Sequence, residues 1–153
     1  AISTEGHNLI HARVTGVLEA HPADPLRQLV EVAWAYVQFG LEEPAHFRIT
    51  FSGAVEKEHE YPALVEMTGR NFGMVRDLVK RCQAASILAA GEADLITLTV
   101  WGLVHGFVSL LQEGQVSHTL LDRHTQRELL ILVLDQVTLP RLDPQDFQEA
   151  PNA

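Results

Sequence analysis

The sequence is short of cysteine, of basic residues and of strand patterning. Its single cysteine, Cys82, excludes an internal disulfide framework and a cysteine-based zinc knuckle, and is consistent with a reducing, cytoplasmic compartment. Lysine and arginine total 11 against 20 acidic residues, giving a formal net charge of −9. Such a chain is repelled by a phosphate backbone, which argues against nucleic-acid binding by these residues themselves. The first residues lack the basic-then-apolar order of a signal peptide. There is no nucleophile elbow, phosphate-binding glycine loop or dinucleotide fingerprint. Nothing in the motifs points to an enzyme, and no cofactor is expected.

What remains is helical. The 153 residues, 46% of them hydrophobic, suit one domain with a real core. A first helix is expected from about Gly6 to Ala20, stopped by His21-Pro22. Asp24-Pro25 starts a second, with Asp24 as cap and Pro25 at the first helical position; it runs to about Glu43, ahead of Pro44. Pro44 to Phe51 reads as a short helix, and residues 56–60 as a polar loop. Tyr61-Pro62 opens a long helix reaching about Ala89, with Gly91 as its C-terminal cap. A last helix is expected from Arg123 to Leu139, ended by Pro140. Residues 1–140 thus form one helical domain, and 141–153, rich in proline, a flexible tail.

Between these lies Asp94 to Gln112, with no charged residue from Leu95 to Gln112. Leu98, Trp101, His105 and Val108 fall on one side at helical spacing; Leu103, Gly106, Phe107 and Leu110 fall on another. A soluble helix that is apolar all round is buried on more than one side. As a membrane span the run is slightly short, carries Thr, His, Ser and Gln, and has acidic flanks. The run Leu129 to Leu134 is apolar in all directions as well. The surplus predicts a homodimer with a two-fold, four-helix interface. Its expected residues are Leu103, Gly106, Phe107, Leu110, Leu130, Val133, Leu134 and Val137.

Few residues invite chemistry. His7 and His11 lie one helical turn apart, but no third ligand is evident, so no metal site is expected. His118 and His124 have no better claim. Cys82 beside Lys80 and Arg81 reads as a buried structural thiol. His105, in an otherwise apolar helix, is either a core histidine satisfied by one hydrogen bond or the polar contact of an apolar cavity. Trp34, Tyr36, Phe39, Phe47, Phe51, Met67 and Phe72 are available as walls or as simple core.

Two segments carry a family resemblance. Asp24-Pro25, followed by Tyr36-Val37-Gln38-Phe39-Gly40 and then Pro44-Ala45-His46-Phe47-Arg48, is similar to a signature of one branch of the tetracycline-repressor (TetR) family. Trp101…His105-Gly106 resembles that branch's second signature. Gly40 departs from the pattern, where Ala is more usual. The resemblance implies an all-α fold: a bundle of about six helices like the tetracycline-repressor C-terminal domain, dimerising through its last two long helices. It also implies binding of a small effector, with Tyr36, Phe51, Met67, Asn71, Trp101 and His105 as expected pocket residues. Operator DNA would be a partner only through an N-terminal helix-turn-helix domain that is absent from these residues. The implied role is that of a transcriptional regulator, a repressor by family habit. The rival is a helical dimerisation module without a ligand.

Overall fold

Helix α2 (Pro25–Glu42) is the hub of the structure, a computed structural model that describes residues 2–51 and 62–149, with side chains from 5–48 and 66–149. Around it lie α1 (Ile2–Ala20), α3 (Pro44–Phe51), α4 (Pro62–Ala84), α5 (Ala93–Gln112), α6 (His118–Arg123) and α7 (Gln126–Asp135). A 3-10 turn, Pro144–Phe147, follows, and the described residues contain no strand. The polar loop at 56–60 and the side chain of Phe51 lie outside the described residues.

The start of α2 follows from its sequence. Asp24 caps it by accepting from the Arg27 N–H at 2.9 Å, and Pro25 occupies the first turn, where its missing donor costs nothing. Leu29, Val30, Val32, Ala33, Ala35, Val37 and Phe39 are buried, so α2 is apolar around most of its circumference. It packs against α1, α3, α4, α5 and α7. Buried Gln28 ties three helices together: its amide donates to the Leu18 carbonyl of α1, and its oxygen accepts from Arg81 of α4. Cys82 is fully buried as expected; its thiol donates to the Pro25 carbonyl, and burial pushes its pKa up to about 11.

Gly40 is required by packing. A Cβ there would lie 2.5 Å from the Val108 Cγ1 of α5 and 3.2 Å from the Phe47 ring of α3. The Gln112 amide also donates to the Gly40 carbonyl at 2.7 Å. The small departure from the family pattern is therefore where α2 and α5 approach most closely.

The structure corrects four expectations. Helix α4 ends at Ala84, before Ala89. Ile87 and Leu88 are drawn into the core, both their N–H groups turn back to the Cys82 carbonyl, and Ser86 takes a positive φ of 57° to allow it. Gly91 lies beyond this turn and does not cap α4. Second, the last helix spans only Gln126–Asp135, inside the expected Arg123 to Leu139, and a separate short helix, α6, precedes it. His124 is extended, and Thr125 starts α7 by accepting from the Glu128 N–H. Third, residues 141–149 are packed, in place of a frayed tail. Leu142 and Phe147 are buried, the Leu142 N–H donates to Asp135 Oδ1 at 2.7 Å, and Arg27 and Arg127 donate to the carbonyls of Asp146, Phe147 and Gln148. Fourth, Leu98 and Val108 do not share a side of α5, which within this chain is buried on one side: Leu98 is exposed and Val108 is fully buried.

That one-sidedness is clean. Thr97, Val100, Val104, Phe107 and Val108 face α2 and α4. On the opposite side, Leu95, Leu98 and Leu110 stand 57%, 54% and 49% exposed, with Gly102 and Gly106 between them. A Cβ at either glycine would meet nothing within 4 Å. Helix α5 is also long and apolar enough to cross a membrane, a length it owes to a core side and an outward apolar side together.

Candidate functional site

Between these two sides, the flank of α5 carries Trp101 and His105, one turn apart and directed at α2. The Trp101 indole N–H donates to the Tyr36 hydroxyl at 3.0 Å. That hydroxyl is 2.7 Å from His105 Nδ1. Phe47 of α3 stacks on the imidazole, with ring centres 5.0 Å apart and 22° between planes, and meets the Tyr36 ring edge-on at 5.6 Å. Trp101 closes the group from the side, its ring 6.2 Å from that of His105. Three helices thus converge on one polar thread lined by aromatic faces. That is the make-up of a small-molecule site, with apolar walls and a few oriented polar groups.

Burial sets the charge states here. It lowers the His105 pKa, so the imidazole stays neutral. It raises the Tyr36 pKa, against a smaller lowering from the Trp101 hydrogen bond, so the phenol keeps its proton.

The expected pocket residues divide accordingly. Tyr36, Trp101 and His105 touch one another. Met67 is half-buried on α4, one turn before Asn71. Asn71 serves a second polar cluster, between α1 and α4. Its side-chain oxygen is 3.0 Å from His11 Nδ1, and its amide donates to the His7 carbonyl at 3.2 Å. His7 is buried, which lowers its pKa, and lies 3.4 Å from the Thr68 hydroxyl. His7 and His11 are therefore held by amide and hydroxyl groups, and no group of three metal-ligating side chains occurs among the described residues.

The expected interface residues divide as well. Gly106 and Leu110 lie on the outward side of α5, with Leu103 half-buried at its edge, whereas Phe107, Leu130 and Leu134 belong to the chain's own core. Leu130 and Leu134 are fully buried, because α7 spends its apolar run on its own chain, and Phe107 on the core side of α5 is nearly so. Val133 and Val137 are half-buried. Outward positions outside that expected set are Leu95, Leu98 and Gly102 on α5, and Leu120 and Leu121 on α6, although the four-residue spacing of Gly102 and Gly106 already marks a groove for a partner helix. Their signal was the three-to-four-residue recurrence through 95, 98, 102, 106 and 110. The grouping of Leu98 and Val108 with Trp101 and His105 obscured it: Leu98 points outward and Val108 inward.

An open groove of about 720 Å³ runs between α7, Trp34 and residues 143–149. Its polar groups are already engaged within the chain. Arg127 pairs with Glu31 and lies over the Trp34 ring, and the Trp34 N–H donates to Glu149.

Comparison with known proteins bears on the fold and the family. No curated protein sequence matches the chain. A solved structure of a protein with unknown function from Rhodococcus sp. RHA1 is similar, with a TM-score of 0.76 and 20% identity over 89% of this chain and 67% of that one. At that identity the likeness is one of fold. The family described as tetracyclin repressor-like, C-terminal domain matches residues 29–134, which include most of α2, all of α5 and the Tyr36–Trp101–His105 thread. The chain belongs to the tetracyclin repressor-like C-terminal domain family.

Proposed function

We propose that this chain is the effector-sensing and dimerising part of a cytoplasmic transcriptional regulator, a repressor whose DNA affinity is set by a small, largely apolar molecule. The observation that carries the reading is the Trp101–Tyr36–His105 thread, polar groups held in register by Phe47 where three helices meet. A ligand seated there contacts α2, α3 and α5 together. Through them it biases α1, which packs on α2 and α3 and leads toward the N-terminal end, where the DNA-reading heads of such regulators sit. Operator affinity then falls only by the ligand's differential binding to the two arrangements of α1. The outward face of α5, with Leu95, Leu98, Gly102, Gly106 and Leu110, is the surface we assign to a second copy. Its glycines admit close approach of the partner helix.

A thermal-shift screen against apolar metabolites tests the sensing role, since a ligand specific for the folded form raises its apparent stability. The expected hit stabilises the wild-type chain and loses most of that effect with His105→Gln. If every stabilising compound acts equally on both proteins, the site is misplaced. A second reading, a dimerisation module with no ligand, is favoured by the exposed apolar face of α5, which needs no cavity. It predicts an intact dimer and no hit in the same screen.

A further inference from the structure

We infer that α6 is a clasp for a second copy of this chain: the exposed Leu120 and Leu121 of one copy cover the exposed Leu95 at the start of α5 in the other. The inference rests on the dimerising role proposed above.

Helix α6 (His118–Arg123) is one that its own chain does not use. None of its residues is buried, and it takes part in none of the main helix packings among the described residues. Its 6 residues are too few for a helix to persist on backbone bonds alone. Both of its ends are nevertheless tied down. On one side Val116 packs on the core and the Ser117 hydroxyl accepts from the Thr119 N–H. On the other the His124 N–H closes on the Leu120 carbonyl, and Thr125 caps α7. A short helix is thus held in place with two leucines exposed, from which the folding of one copy gains little.

The register of α5 says where they go. Its outward side reads Leu98, Gly102, Gly106, Leu110, which is symmetric about position 104. A two-fold axis perpendicular to α5 at that point sets the two helices antiparallel and opposes their dipoles. Gly102 then meets the partner's Gly106, and Leu98 meets the partner's Leu110. Leu95, the most exposed of the α5 leucines, falls opposite position 113, but α5 has ended at Gln112. The next apolar residues along the partner that stand clear of its core are Leu120 and Leu121. Area points the same way. Leu95, Leu98 and Leu110 are each about half exposed. Even a large aromatic side chain offers no more than about 250 Å², so three half-exposed leucines fall well short of the roughly 800 Å² that each partner gives to a stable interface.

Cross-linking between copies tests the clasp. Leu95→Cys and Leu121→Cys are made as separate proteins, mixed and equilibrated; Cys82 is fully buried and stays out of the reaction. A short bis-maleimide should join the two variants to each other. It should not join Leu95→Cys to itself, since the two copies of position 95 lie roughly 27 Å apart along the antiparallel pair. In sedimentation equilibrium, Leu120→Glu combined with Leu121→Glu should weaken the dimer by roughly tenfold or more. The same pair should leave the helical circular dichroism unchanged, because α6 has no place in the core. A dimer that Gly106→Leu dissociates, but in which the link from 95 to 121 fails or the α6 pair changes nothing, overturns the clasp and leaves the α5 interface standing. Linkage of Leu95→Cys to itself overturns the antiparallel register and the clasp with it. A monomeric wild-type chain, or a dimer indifferent to Gly106→Leu, removes the α5 interface and this inference together.

Discussion

Replacing Gly40 with alanine is normally a mild change in a helix, and here it should destabilise. Alanine gains up to ~1 kcal/mol of helix propensity over glycine. Against this, the new Cβ would sit 2.5 Å from Val108 Cγ1 and 3.2 Å from the Phe47 ring. Val108 is fully buried and, being β-branched on a helix, has one strongly preferred rotamer. It cannot swing aside without displacing Val104 or Phe107, its neighbours on the core side of α5. Overpacking of this kind costs about 1–3 kcal/mol. The net expectation for Gly40→Ala is a loss of about 1–2 kcal/mol, or roughly 2–8 °C in the thermal midpoint of a domain this size. A double-mutant cycle isolates the cause. In a Val108→Ala background, itself destabilised by about 2 kcal/mol through lost burial, the 2.5 Å contact is gone, only the 3.2 Å approach to Phe47 remains, and Gly40→Ala should be close to neutral. The coupling between the two positions should be about 1–3 kcal/mol. Thermal and denaturant unfolding at one fixed protein concentration measure all four proteins. Gly40→Ala that raises the midpoint in the wild-type background, or acts alike in both backgrounds, refutes the packing argument. Because Phe47 also stacks on His105, the same variant should perturb the His105 NMR signals.

Three further expectations are independent of that one. A Cβ at Gly106 meets nothing within 4 Å in its own chain, so Gly106→Leu should leave the helical circular dichroism intact while abolishing the dimer in sedimentation; an unchanged dimer would discard the outward face of α5 as the interface. The imidazoles of His7, buried, and His105, half-buried, have folded pKa values below their ordinary 6.5. The unfolded chain then takes up protons that the folded chain refuses. Stability should be full above pH 6.5, fall as pH drops below it, and stop falling once the folded imidazoles titrate too. His7→Gln and His105→Gln should each flatten the midpoint-versus-pH curve in that window, and a curve unchanged in both would mean these rings are not desolvated. Phe147→Ala should cost about 3 kcal/mol in denaturant unfolding, the low end for a buried phenylalanine, whereas a loss below ~0.5 kcal/mol would mean that residues 141–149 are only loosely attached.

Fold class was legible because it rests on local signals that tertiary structure left in place. Asp24-Pro25 sits at the start of α2 and Pro44 just after its end. The uncharged stretch from Leu95 to Gln112 occupies nearly all of α5. The misplaced boundaries are those where packing overrode periodicity. Nothing local distinguishes Ile87 and Leu88 from a continuing helix, and only the core they enter ends α4 at Ala84. The break before α7 did leave a mark, the Thr125-x-x-Glu128 capping pattern, which the long apolar run beside it masked. For the site, Tyr36, Trp101 and His105 could be proposed together because two motifs and helical spacing placed them. The partners of Asn71 could not be read, since His7 and His11 lie some sixty residues away in sequence. The interface suffered from a deeper ambiguity. Apolarity on every side of a helix does not say which side the chain uses for itself, and Leu130 and Leu134 went to the chain's own core.

The attachment of residues 141–149 has a practical consequence. A fragment trimmed at Pro140, where composition invites the cut, would lose the Leu142 N–H that satisfies buried Asp135 and the carbonyl of Phe147 that receives Arg127. It would also lose the Phe147 ring, over which Arg27 lies. The Leu139 N–H, which donates to the Ile87 carbonyl, would sit next to a free end. In native-state hydrogen exchange, the amides of Leu139 and Leu142 should therefore open together with α7 as one cooperative unit, at free energies near the global value. Shortened versions made for crystallisation or ligand screening should keep everything through Glu149.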